Sequence, residues 1–167
     1  DTFESAHLLQ DFESASAVSG DGEVLLEKEG EVDHVQFTND EVNSMRGTDA
    51  VFTHNHPSGR GLSFDDVNFA REIDAAEMRA VGRSVEGRLA HNYRVQPGLD
   101  GWPAKSNLKV WYDVAAARVF DVIQQKVTAG TLTPGEAGGE YYHEVLKIVA
   151  AEHPRSLKYV REERKSA

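Results

Sequence analysis

The stretch VFTHNHPSGRGLSFDD, residues 51–66, constrains the fold more than any other part of the chain. An apolar lead-in ends in two histidines one residue apart. Pro57, a turn holding Gly59 and Gly61, and Ser63 three residues ahead of Asp66 then follow. The order reads strand, sharp turn, helix. AVFT, residues 50–53, is the kind of short apolar run that a buried strand shows. Ser63 is a good N-cap residue, and Phe64, Val67, Ala70 and Ile73 line one face of the helix expected over SFDDVNFAREIDAA.

At a strand end, positions i and i+2 point to the same face, roughly 6.5 to 7 Å apart along the strand. His54 and His56 can therefore aim both imidazoles at one point, while Asn55 faces away. The turn brings the chain back, and the cap places Asp66 in the first helical turn, where it can face the pair. Two histidines and one carboxylate leave a fourth position for water, the open arrangement of catalytic zinc sites. With zero cysteines, thiolate ligands and disulfides are excluded. The spacing thus predicts Zn2+ on His54, His56 and Asp66. No H-E-x-x-H is present, and the glycines of GEAGGE lack phosphate-loop spacing.

The rest of the chain supplies a frame for this motif. Residues 4–11 suit a short helix, and ASAVSGDGEVLLEKEG reads as a hairpin turning at Gly20-Asp21-Gly22. DHVQFT is a further strand candidate, and Thr38 with Glu41 has capping-box spacing. EMRAVGRSVEGRLAHNYRVQP reads as an extended pair broken at Val85–Gly87. After GLDGWPAKS the pattern turns helical: Leu108, Trp111, Ala115, Val119 and Val122 form one stripe over residues 107–128. Thr133, Pro134 and Glu136 can start another helix, its regular part delayed by Gly138 and Gly139 and its face carried by Tyr142, Val145, Leu146 and Val149. REERKSA reads as a solvated tail. His91 and His143 read as strand and interfacial residues, and Trp102 and Trp111 as packing anchors. The expectation is an α/β fold with a mixed β-sheet flanked by helices, over residues 1–98, and a C-terminal helical hairpin over 99–167 packed upon it.

At 167 residues the chain is long enough to bury a core. Its net charge of -10 argues against a broad phosphate-binding surface, so no nucleic acid partner is expected. No apolar run approaches the roughly 20 residues of a membrane span, and no signal-peptide pattern opens the chain. A cytoplasmic protein is expected. The chain begins at Asp1 without a Met, which suggests trimming, processing or a piece of a larger polypeptide.

HNHPSGRGLSFDD resembles the JAMM motif of MPN-domain metallopeptidases, H-x-H-P followed by S-x-x-D with an upstream Glu. Five residues separate Pro57 from Ser63, one fewer than in the common eukaryotic pattern. JAMM-like domains attached to phage head-morphogenesis proteins are similar to this shorter form. The resemblance covers residues 12–96 and implies an α/β, cytidine-deaminase-like architecture. It implies zinc on His54, His56 and Asp66, Ser63 near the reacting oxygen, and a proton-handling Glu on an early strand. Glu13 opens the first strand of the hairpin, the place the family pattern leads one to expect; Glu4 has the same Phe-Glu-Ser context, and Glu23 follows a turn.

The activity implied is hydrolysis of a peptide or isopeptide bond in a protein or peptide substrate, with Glu13 as general base. Ser63 would donate to the oxyanion, because a cap uses the hydroxyl oxygen as acceptor and leaves its hydrogen free. The alternative is a non-catalytic JAMM-like domain within a larger assembly such as a phage head. HNHPSG is also similar to the string in RadC-like, DNA-associated proteins, a reading the acidic balance opposes.

Overall fold

The computed structural model describes residues 2–83 and 90–164. A short helix α1 (Thr2–His7) precedes the hairpin of β1 (Ser14–Val18) and β2 (Val24–Glu29), and α2 (Asn39–Met45) follows. Then come β3 (Val51–His56), α3 (Phe64–Glu72), β4 (Glu77–Arg83) and β5 (Ala90–Pro97). Two long helices, α4 (Lys105–Thr128) and α5 (Pro134–Glu152), lead into β6 (Leu157–Arg164).

The strands form a mixed sheet in the order β2-β1-β3-β4-β5-β6. β3 lies inside it, antiparallel to β1 and parallel to β4. A parallel pair needs a crossover, and α3 supplies it. Three helix starts have a sequence cause. Thr38, Ser63 and Thr133 cap α2, α3 and α5, and each closes a capping box with the acidic residue three positions on. Pro134 occupies the first turn of α5, where a missing N–H costs nothing.

Strand alternation divides the sheet into unlike faces. Phe52, Met78, Ala80, Tyr93 and Val95 are buried, and their register puts them on the face that carries His54 and His56. Helices α3, α4 and α5 close over this face, contributing Val67, Ala70, Leu108, Tyr112, Val119, Val145 and Leu146 to the core. The opposite face is polar: Thr53 donates to Glu4 of α1 at 3.1 Å, and Arg79 pairs with Glu77.

Several elements differ from the sequence-based expectation. Among the described residues, 33–38 pair with no strand; the chain turns after Glu29, and Phe37 packs against Phe52 and Phe69 with ring centroids 5.6 and 5.1 Å apart. Burial of that ring outweighs strand pairing there. The buried stripe of α4 is Leu108, Tyr112, Ala115, Val119 and Ile123. Val122 is exposed, and Trp111 is half-buried, stacked on His153 with centroids 3.7 Å apart. Helix α5 is regular through Gly138 and Gly139. The break expected at Val85–Gly87 lies outside the described residues.

The largest difference is β6. Arg161–Arg164 belong to a strand paired along the whole of β5, whereas the sequence reading placed a solvated tail there. Its charges are met by cross-strand and helix partners, Arg94 with Glu162 and Arg161 with Glu140. Charged residues are common on such an edge strand because they discourage further pairing. Tyr159, on the inward face of β6, bonds His143 Nδ1 of α5 at 3.0 Å. Among the described residues, no helix is long and apolar enough to cross a membrane.

Burial pushes His143 down to about 4, with the Arg161 cation adding to the shift and Glu140 and Glu144 opposing it. A histidine held below its ordinary 6.5 binds its proton more readily in the unfolded chain. Stability is therefore expected to fall as pH drops from about 6.5 to about 4. Replacing His143 with Gln should flatten that part of the melting-temperature profile. Parallel profiles for wild type and variant would exclude His143 as a source of acid sensitivity.

Candidate metal centre

The site grows from the register of β3. Ala15 of β1 pairs with His54, so Glu13, two residues earlier, comes opposite His56 on the same face. Glu13 stands immediately before β1 rather than opening it, and the pairing of β1 with β3 brings its carboxyl to the histidines. Glu13 and both histidines are buried, and Glu13 Oε1 stands 4.0 Å from His56 Nε2.

Beyond β3 the chain turns at Pro57–Gly59. The His56 carbonyl accepts from Gly59 N–H at 2.9 Å, and the Arg60 carbonyl lies 2.8 Å from His56 Nδ1. That contact makes Nδ1 the protonated nitrogen and leaves the Nε2 lone pair facing the site. Leu62 is fully buried and its carbonyl accepts from Tyr112 Oη at 3.3 Å, which anchors the far end of the loop.

The cap of α3 then fixes the third group. Asp66 Oδ2 accepts from Ser63 N–H at 2.6 Å and from the Ser63 hydroxyl at 2.7 Å. Oδ1 remains, 3.4 Å from His54 Nε2. One capping box therefore starts a helix and orients a candidate ligand. The hydroxyl hydrogen expected to be free is given to Asp66 in this arrangement.

His54 Nε2 and His56 Nε2 are 2.8 Å apart, and Asp66 Oδ2 is 3.8 Å from His56 Nε2. Ligands bound tetrahedrally at about 2.0–2.1 Å lie about 3.3 Å from one another. The His54–His56 separation and that of Asp66 Oδ1 from His54 lie on either side of that value. One candidate ligand atom from each residue lies within 4.8 Å of the others, so His54, His56 and Asp66 could hold a metal ion. Two facing Nε2 atoms admit one shared proton, and a cation can take its place.

Electrostatics separates the four groups. Burial raises Glu13 to about 7; the His54 cation opposes this and the Asp66 anion adds to it. Burial lowers His56 to about 4, and a charge on His54 lowers it further. Burial acts downward on His54 too, but the hydrogen bond and charge of Asp66, with Glu13 behind them, raise it overall. Burial acts upward on Asp66, yet His54 and His56 hold it well below the ordinary carboxylate range.

No protein-family model, no curated protein and no solved structure matches the chain.

Glu4 lies on the other side of the sheet, against Thr53, and so is separated from the histidines by β3 itself. Glu23 is exposed at the hairpin turn. The residues singled out in the sequence, Glu13, His54, His56, Ser63 and Asp66, all line one cleft of about 520 Å³. Phe37, Phe52, Phe69 and Met78 form an apolar wall beside them, and Arg60, Asp33 and His34 stand among its polar lining. His91 lies on β5, outside that lining.

Asn55 is the contributor that sequence reasoning passed over. It faces away from the histidines, where its side chain replaces ladder bonds between β3 and the start of β1. Oδ1 accepts from Ser14 N–H at 2.6 Å, and Nδ2 donates to the Phe12 carbonyl at 2.9 Å. These bonds bracket Glu13 on both sides. The available signal was a polar amide inside an apolar strand, which requires buried partners. Asn55→Ala leaves the Ser14 N–H without its buried acceptor and is expected to cost about 1–3 kcal/mol. Urea unfolding checks this; a loss within error would mean that water replaces the amide.

Proposed function

We propose that the chain is a zinc-dependent hydrolase of the JAMM type, cleaving a peptide or isopeptide bond with Glu13 as general base. One observation carries the reading: a buried carboxyl stands 4.0 Å from His56 Nε2, on the same face as a His-His-Asp group and inside a cleft. His54 Nε2, His56 Nε2 and Asp66 Oδ1 would hold the zinc, which when bound acidifies a water and polarises a carbonyl. The donor set is nitrogen and oxygen only, which suits zinc in an open site.

The chain's own residues do the rest. Burial raises Glu13 to about 7, and the charge of a bound zinc would draw it back down, leaving an ionised carboxylate able to take a proton and return it. It removes a proton from the attacking water; water oxygen joins the carbonyl carbon, the C–N bond breaks, and the proton passes to the leaving nitrogen. Ser63 holds Asp66 in the resting arrangement. As the carbonyl oxygen gains charge, the Ser63 hydroxyl turns from Asp66 to donate to it. The apolar wall of Phe37, Phe52 and Phe69 keeps water from one side of the cleft, which strengthens these interactions.

A second reading, a non-catalytic domain of a larger assembly, draws on α4. Val110, Val114, Phe120 and Val122 are exposed there, at 45% or more.

Protein purified without added metal is expected to carry about one zinc per chain by elemental analysis, and Asp66→Ala to lose it. Metal-free wild type that also ignores added zinc would remove the hydrolase reading. Glu13→Gln should keep the zinc and lower turnover of a cognate amide about 10²–10⁴-fold. Unchanged turnover would take Glu13 out of the mechanism. A zinc-loaded wild type inert toward diverse peptides and isopeptides would favour the assembly reading.

A further inference from the structure

Gly138 and Gly139 stand side by side within α5, where glycine is a poorer helix former than every residue but proline. Their surroundings differ. A methyl group at Gly138 would meet nothing nearer than Arg60 Cγ at 3.7 Å, an ordinary contact. At Gly139 it would lie 3.0 Å from the Gly59 carbonyl oxygen. Gly59 is approached equally closely by β4: a methyl at Gly82 would stand 3.1 Å from its backbone atoms. Gly82 is the register partner of His56, so the turn after β3 folds back over the neighbouring strand at this point. Gly59 itself takes a φ of +73°, open to glycine at no steric cost.

Three glycines from three distant parts of the chain therefore meet at the residue before Arg60. The Arg60 carbonyl is the group that orients His56 through Nδ1. We propose that Gly139 and Gly82 are positioning residues for the metal centre: their stack on Gly59 sets the path of the loop and seats the Arg60 carbonyl on His56. Through Gly139, α5 becomes part of the support of the site, although it lies outside the motif-bearing segment. Backbone packed between two backbones has no flexible atom to yield, so one added methyl moves the loop by some tenths of an ångström.

The test compares Gly139→Ala with Gly138→Ala, neighbouring substitutions in one helix that gain the same helical propensity. In metal-free protein, histidine-ring NMR reads the His56 Nδ1 proton held by Arg60. That signal is expected to shift or exchange faster in Gly139→Ala and to stay as wild type in Gly138→Ala. Identical His56 signals in the two variants would overturn the proposal. Gly82→Ala approaches the same residue from β4 and should reproduce the effect; it decides the matter if Gly139→Ala does not fold.

Zinc titration is the second readout and alone rests on the proposed hydrolase function. Affinity should fall about tenfold in Gly139→Ala and hold in Gly138→Ala, as for loss of an outer-shell partner. Equal affinities would count against the proposal. A wild type that shows the His56 proton but takes up no zinc would defeat the hydrolase reading, and the NMR comparison would still decide the glycine stack.

Discussion

Glu13, His54, His56 and Asp66 place four ionisable side chains within a few ångströms of one another on the covered face of a sheet. Burying such groups is costly unless each has partners, and the surrounding structure is arranged to supply them. The Arg60 carbonyl holds one imidazole, and the Ser63 N–H and hydroxyl hold the carboxylate. The atoms left over, two imidazole nitrogens and one carboxylate oxygen, converge. These atoms have chiefly one another as partners, and together they could hold an ion. His54 is less completely held: its Nδ1 is buried without a hydrogen-bond partner among the described residues.

The position of β3 explains why the arrangement is stable enough to persist. An interior strand is paired on both edges, here by β4 along its whole length and by β1 over Val51–His54, so most of its backbone needs nothing from the side chains. The two unlike faces of the sheet then divide the work. Phe52, His54 and His56 point into the helical layer, while Thr53 and Asn55 serve the polar face and tie α1 and the start of β1 to the strand. A one-residue slip of β1 would remove Glu13 from the site and turn the Asn55 bonds aside. Register is therefore part of the chemistry.

The opposing pKa shifts have the same origin. Glu13 and Asp66 share one cluster, but Asp66 accepts two hydrogen bonds from Ser63 and Glu13 sits in desolvated surroundings. One carboxyl stays ionised and suits ligation; the other is raised to about 7 and suits proton transfer. Environment separates the roles of two chemically similar side chains.

Local sequence determined a good deal. The alternation of VFTHNH put both imidazoles on one face, and S-x-x-D at a helix start made Ser63 and Asp66 a capping box, because these outcomes depend on strand and helix periodicity alone. The α/β class and the hairpin of β1 and β2 were legible for the same reason. Tertiary structure decided the rest. Glu13 and Glu4 share one tripeptide context, and only the pairing of β1 with β3 sends one to the cleft and the other behind the sheet. Phe37 left its expected strand for an aromatic cluster, and α4 turned its stripe toward Tyr112 and Ile123. The charged segment Arg161–Arg164 became an edge strand because β5 offered a free edge and partners for its charges. Gly139 means nothing in its own helix and acquires its role from Gly59, some eighty residues away. Contacts of that sequence separation are set by how the layers close, which no local pattern records.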